Sequence, residues 1–255
     1  MRWRVGSLSR NLDFLKLWSG QTISLFGSEI SELALPLTAV LVLQATPIQM
    51  GLLGVARFVP FLLVTLLAGV WIDRRRRRPI LIAADAGRGV LVALVPLLAI
   101  AGMLRIEHLY IVAFMVGVLS VFFELAYQAF LPSLVEREQV IEGNSKLQAS
   151  ASATAVGGPG LAGLLIEIVS APVALLIDAF SFLISAVSLS LIRKPEPEPL
   201  ARRPGESLLR QIGEGLRVVF GNPYLRAFVG EAASFNGMAN VIAAVVSSMP
   251  HASLG

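Results

Sequence analysis

Long apolar runs separated by short polar breaks make up most of the chain. Stretches rich in Leu, Val, Ile, Ala and Phe fall near residues 17–43, 50–71, 80–102, 109–131, 145–168 and 172–192, with a seventh near 225–248. Each is long enough for a helix to cross a hydrocarbon layer of about 30 Å, which takes about 20 residues. Backbone polar groups in lipid must be satisfied within the segment, so the runs are read as α-helices of an all-α membrane protein.

The connections alternate in character. Segments 44–49 and 169–171 carry no Lys or Arg, and 103–108 carries only Arg105. The alternate connections hold Arg10 and Lys16, Arg74 to Arg78, Arg137 and Lys146, then Arg193, Lys194, Arg202, Arg203, Arg210 and Arg217. Arg2 and Arg4 join them. The positive-inside rule therefore predicts a cytoplasmic N-terminus and a multi-pass protein of the plasma membrane, the inner membrane in a bacterium. The long connection, 193–224, opens with Lys194-Pro195-Glu196-Pro197-Glu198-Pro199, a stiff polar linker. Further on, Leu208, Leu209, Ile212, Leu216 and Phe220 form one stripe opposite Arg210, Glu214 and Arg217. That predicts an amphipathic helix lying on the membrane or on the cytoplasmic face of the bundle. The expected organisation is a six-span bundle over 1–192, this linker over 193–224, and a seventh span within 225–255.

Composition agrees with the pattern. Of 255 residues, 55% are hydrophobic and 15% charged, and the mean hydropathy is +0.75. A soluble domain carries about 25% charged residues. The net charge of +4 lies in tracts between spans and does not form a nucleic-acid module, so nucleic acid is excluded as a partner. The chain has no Cys, and His108 and His251 lack partners at metal-binding spacing. No metal or other cofactor is implied. The first apolar run exceeds the roughly 7–15 residues of a signal peptide's core, so it is read as a span.

Ionisable residues at membrane depth are the first functional candidates, since each costs about 2.5–3.5 kcal/mol on insertion scales. Glu29 and Glu32 lie three residues apart in span one, on one face of the helix. At a rise of 1.5 Å per residue, Arg57 and Asp178 fall about 10 Å below the outer edge and Glu32 about 16 Å. These four are candidates for proton coupling or substrate contact. Asp85, Arg88 and Glu124 fall about 8–12 Å from the inner edge. Their charges nearly cancel, so they are read as a structural or gating network on the cytoplasmic side. Paired His, Ser–Lys and paired-Asp patterns and phosphate loops are all missing, so an enzyme is not expected.

Two motifs sharpen the reading. Between spans two and three stand Gly69, Asp73, Arg74, Arg77 and Arg78, which resemble motif A of the major facilitator superfamily. Arg76 occupies the place of that motif's second Gly. In span five, Gly157-Gly158-Pro159-Gly160-Leu161-Ala162-Gly163 contains a literal G-x-G-x-x-G. A dinucleotide site would need a preceding strand and a βαβ unit. Inside an apolar helix the run instead permits close packing and a kink. Gly158, Pro159 and Gly163 resemble motif C of the superfamily's exporters and antiporters, although Ser145 and Thr154 replace its earlier glycines. Residues 122–165 and 172–192 are similar to the branch containing macrolide efflux proteins and the enterobactin exporter. Ala113 stands where many proton-coupled members carry the motif B Arg.

The resemblance implies a six-helix N-terminal bundle of the major facilitator fold plus the start of a second half. It implies a gating latch at motif A and a secondary active transporter that expels a small amphipathic molecule by alternating access and proton antiport. Membrane lipid, substrate, protons and a missing C-terminal half are the expected partners. The alternative is a non-transporting membrane scaffold or assembly partner derived from a truncated transporter.

Overall fold

A computed structural model describes residues 8–197 and scattered positions between 213 and 231. Most of the amphipathic stretch within 193–224 and of the expected seventh span near 225–248 lies outside the described residues. Two compact units divide the chain, Met1–Arg202 and Arg203–Gly255; the helices that follow belong to the first.

Six helices among the described residues are long and apolar enough to cross a membrane. They are α1 (Leu12–Leu41), α2 (Pro47–Ile72), α3 (Arg77–Ile100), α4 (Ile106–Leu134), α5 (Val140–Val169) and α6 (Ala171–Ser190). The starts follow local chemistry. Asn11 Oδ1 accepts from the amides of Asp13 and Phe14, both at 3.1 Å. Thr46 and Gln49 form a reciprocal capping box ahead of Pro47. Most helices overrun their apolar runs by several residues, because the caps and polar first turns sit outside the hydrocarbon.

The packing has an internal symmetry. α1 lies against α6 and α5, α4 lies against α3 and α2, and α3 meets α6. Exchanging α1–α3 with α4–α6 maps this pattern onto itself. Three helices per unit reverse the chain direction, so the two triplets form an inverted repeat, as in many transporters.

Small residues set the crossings. A Cβ on Gly27 would stand 2.0 Å from Ser181 Oγ and 2.5 Å from Asp178 Oδ1, so these two α6 side chains occupy the space that a side chain on α1 would fill. Gly117 approaches the Arg57 carbonyl in the same manner, with 3.0 Å left for a Cβ. Two apolar clusters result. One, at the end of the bundle near Phe14, Leu81, Phe130 and Leu189, is separate from the other, around Ile30, Val92, Leu109 and Phe182. Outward positions are apolar too: Leu62 is 80% exposed and Val156 86%, which fits a lipid solvent.

The ends of the bundle differ. The Arg- and Lys-bearing connections among the described residues gather at one end, and Arg105 lies at the other. At the basic end the residues after α6 are docked. Asp13 accepts from the amides of Arg193 at 3.2 Å and Lys194 at 2.9 Å, and from Lys16 Nζ at 2.8 Å. Lys194 Nζ donates to the Leu134 carbonyl at the end of α4, at 2.9 Å. Glu196 accepts from the amides of Arg77 and Arg78 at 2.7 and 3.1 Å. The Arg run before α3 has no acceptor side chain with which to cap its own helix, so a carboxylate distant in sequence does so.

Two consequences are measurable. Gly27→Val is expected to lower the melting temperature and folded yield sharply in detergent, whereas Gly51→Ala, where nothing lies within 4 Å, leaves both unchanged. Glu196→Ala is expected to cost about 1–2 kcal/mol, the loss of a helix cap, read as a lower denaturation midpoint that Glu196→Gln partly restores.

Candidate functional site

Between the two apolar clusters lies a polar layer built from five helices. Its centre is a cavity of about 340 Å³ onto which Glu32, Arg57, Arg88, Glu124 and Asp178 all open. Glu32 on α1 and Arg57 on α2 form an ion pair, and both side chains are about half exposed. Asp178 on α6 is 1% exposed. Its carboxylate accepts from the hydroxyl of Ser31 across the α1–α6 crossing and from Ser181 Oγ at 3.0 Å. Gly27, which has no side chain, leaves room on α1 for the Asp178 and Ser181 side chains at this crossing.

Arg88 on α3 occupies the other half of the layer. Its guanidinium pairs with Asp85 one turn earlier, and Asp85 is fully buried. Aromatic rings sandwich it: Phe123 of α4 at 4.3 Å and Phe182 of α6 at 4.4 Å. Nη1 also reaches Ser120 Oγ at 3.5 Å. The cation is thus neutralised by one carboxylate and shielded by two π faces, and it ties α3, α4 and α6 together.

The sequence candidates separate in an instructive way. Asp85 and Arg88 meet as a pair, while Glu124 is exposed on the cavity wall and no bond joins it to them. Glu29 and Glu32 diverge, because three residues place two side chains about 60° apart around a helix. Glu32 turns to α2, and Glu29 lies against Gly158 of α5, where a Cβ would stand 2.5 Å from Glu29 Cγ. In the glycine run, Gly158 faces α1, whereas Gly157, Gly160 and Gly163 have nothing within 4 Å. The run lies wholly within α5, and Pro159 leaves one backbone carbonyl of that helix without its usual donor.

At motif A, Asp73 ends α2, its amide bonded to the Gly69 carbonyl at 3.2 Å. Arg76 has φ −65° and ψ 129°, extended backbone, so this turn needs no glycine in its place. Arg77 pairs with Glu196 at 3.6 Å. Arg78 donates from Nε to the Leu189 carbonyl at 3.0 Å and from its terminal nitrogen to the Ser190 carbonyl. No described residue pairs with the Asp73 side chain.

Sequence reasoning missed the neutral partners. Ser31, Ser120 and Ser181 carry no positional signal in one sequence. The Phe123–Arg88–Phe182 sandwich joins residues far apart in the chain. A second cleft, lined by Gln21, Tyr127, Gln128, Asn144 and Gln148, was also missed. Gln21 Oε1 and Tyr127 Oη are buried there without a partner.

Charged groups held inside an inverted-repeat helix bundle, around a shared cavity, are the construction of a membrane transporter. The chain belongs to the Major Facilitator Superfamily, whose pattern it matches over residues 17–254. Among curated relatives it is 24% identical over 218 residues to macrolide efflux protein A of Streptococcus pyogenes, covering 86% of this chain and 54% of that protein. It is 29% identical over 213 residues to the multidrug efflux pump Tap of Mycolicibacterium fortuitum, covering 78% and 50%. The uncharacterized MFS-type transporter YfiS of Bacillus subtilis (strain 168) is 27% identical over 222 residues, covering 83% and 50%. The chain spans about half the length of the curated relatives it matches.

The layer's energetics can be tested with Arg88. Arg88→Met strands the Asp85 charge and is expected to destabilise the bundle by about 3–5 kcal/mol. The double variant Asp85→Asn/Arg88→Met is expected to recover most of that loss in the denaturation midpoint of the purified protein.

Proposed function

We propose that this chain is the N-terminal half of a proton-coupled transporter that expels small amphipathic molecules by alternating access. The convergence of Glu32, Arg57, Arg88, Glu124 and Asp178 on one cavity carries the reading. The relatives' names supply the direction of transport and the substrate class, and Gly158 and Pro159 of the exporter-type motif support the first. The second half of the chain's relatives would supply the facing wall of the cavity. The positive-inside asymmetry supports a topology in which the basic end and the N-terminus would face the cytoplasm across a plasma membrane.

The residues divide the work by their contacts. Glu32 already has a cation in Arg57, so protonating it breaks an ion pair. Asp178 accepts from the hydroxyls of Ser31 and Ser181 and forms no ion pair among the described residues, so it exchanges a proton without breaking one. A hydroxyl can donate to the carboxylate or accept from the acid, so its partners serve both states. We assign proton exchange to Asp178 and substrate or gating contact to the Glu32–Arg57 pair. Glu29, packed on Gly158, connects the cavity wall to the α1–α5 crossing that would shift between states.

The test is proton-driven efflux from cells expressing the full-length reading frame. Asp178→Asn is expected to abolish concentrative efflux while sparing downhill exchange. Glu32→Gln weakens substrate apparent affinity, and Glu29→Gln has a smaller effect. Wild-type efflux in both the Asp178 and Glu32 variants would remove the cavity carboxylates from the mechanism.

A further inference from the structure

A crevice of about 640 Å³ opens between the end of α2 and the start of α3, over α4. Its floor is apolar, made by Ile80, Ala83, Leu119 and Phe122, and Trp71 forms one wall. Arg74, Arg75 and Arg76 form its rim. Leu119 and Phe122 belong to a different face of α4 from Ser120, Phe123 and Glu124, so the crevice is separate from the central cavity. Trp71 is 41% exposed. Its ring meets Phe122 edge-on at 5.6 Å, and the Arg75 guanidinium lies 5.5 Å from it.

We propose that this crevice binds an anionic phospholipid, with the phosphate diester between the Arg75 and Arg76 guanidiniums and an acyl chain along Ile80, Ala83 and Leu119. Charge selects the occupant. Five consecutive arginines, Arg74 to Arg78, stand in this short turn and first helical turn, beside two carboxylates among the described residues, Asp73 and Glu196. Arg77 is paired with Glu196, and Arg78 is committed to the carbonyls that end α6. No carboxylate among the described residues pairs with Arg75 or Arg76, and both are exposed. The amides of Arg77 and Arg78 are taken by Glu196, so the guanidiniums are the anion donors here. Guanidiniums match phosphate oxygens in geometry and charge. An apolar trough below a basic rim, beside an interfacial Trp, matches a lipid with its headgroup at the bundle's end and its chain at membrane depth. A free anion would leave that trough unfilled.

The experiment uses the purified chain in nanodiscs, with Trp3→Phe and Trp18→Phe leaving Trp71 as the only fluorophore of its kind. Quenching is compared for phosphatidylglycerol and phosphatidylcholine with brominated acyl chains, each diluted in unlabelled phosphatidylcholine. Brominated phosphatidylglycerol is expected to quench at lower mole fraction, by about fivefold per rim arginine. Arg75→Gln/Arg76→Gln is expected to abolish the preference, while Arg105→Gln at the other end leaves it intact; far-ultraviolet circular dichroism confirms that both variants are helical. Equal quenching by the two lipids overturns the proposal. So does absence of quenching by either, which would mean that a protein segment covers the crevice. Relief of quenching by glycerol phosphate at matched concentration would also overturn it, by showing a free-anion site.

Discussion

A guanidinium inside an apolar bundle is the constraint around which the six helices are arranged. Arg88 is 7% exposed, and its charge is met by Asp85 from the same helix. An i,i+3 pair settles the charge balance locally, but it does not shield the cation. Shielding comes from Phe123 and Phe182, so α4 and α6 must both be in place before α3 can bury its pair. Under the repeat symmetry the contact of α3 with α6 maps onto itself, and that of α3 with α4 maps onto that of α6 with α1. The polar layer therefore acts as a registration device: sliding either helix by a turn would expose the cation to hydrocarbon without its rings.

From that layer the geometry of the cavity follows. α6 is fixed by Phe182, which places Asp178 one turn away on the same helix. Asp178 needs hydrogen-bond donors, and the Gly27 crossing lets α1 come close enough for Ser31 to supply one. Once α1 is set, Glu32 projects toward α2, where Gly117 of α4 holds the backbone of Arg57 near. The charged groups of the cavity are thus placed by glycines on neighbouring helices, which relay position from one crossing to the next.

Much of this was legible in the chain and some could not be. The spans were clear because lipid demands long apolar runs, and the boundaries differ chiefly where caps such as Asn11 and Thr46 lie in polar sequence beyond them. The charged residues were visible because their cost in lipid makes them conspicuous. Their pairings were not. Glu29 and Glu32 share a helix face at the resolution of a helical wheel, yet Glu32 pairs directly with Arg57 of α2 while the Glu29 side chain packs against Gly158 of α5. The glycine at the second motif A position is replaced by Arg76, and sequence alone could not show that an extended residue closes the turn as well. Glu196 read as part of a polar linker, because its partners at the start of α3 are more than a hundred residues away.

The repeat symmetry also explains which helices are incompletely packed. α2 and α5 occupy equivalent positions, each pressed on one side against the first helix of the opposite triplet. Both carry glycines with nothing nearby: Gly51 and Gly54 on α2, and Gly157, Gly160 and Gly163 on α5. A glycine within a helix costs about 1 kcal/mol relative to alanine, and in a membrane it is useful where another backbone approaches. In the central layer Gly117 serves such an approach, to the Arg57 carbonyl, while Gly27 and Gly158 make room for the side chains of Asp178 and Ser181 and of Glu29. The open glycines occur on the two helices that symmetry places at the outer flanks of the cavity-lining pair, α1 and α4. A second half packed there would meet α2 and α5 together and close the cavity between them. The proposed second half would then pack by the same small-residue contacts that assemble the first six helices.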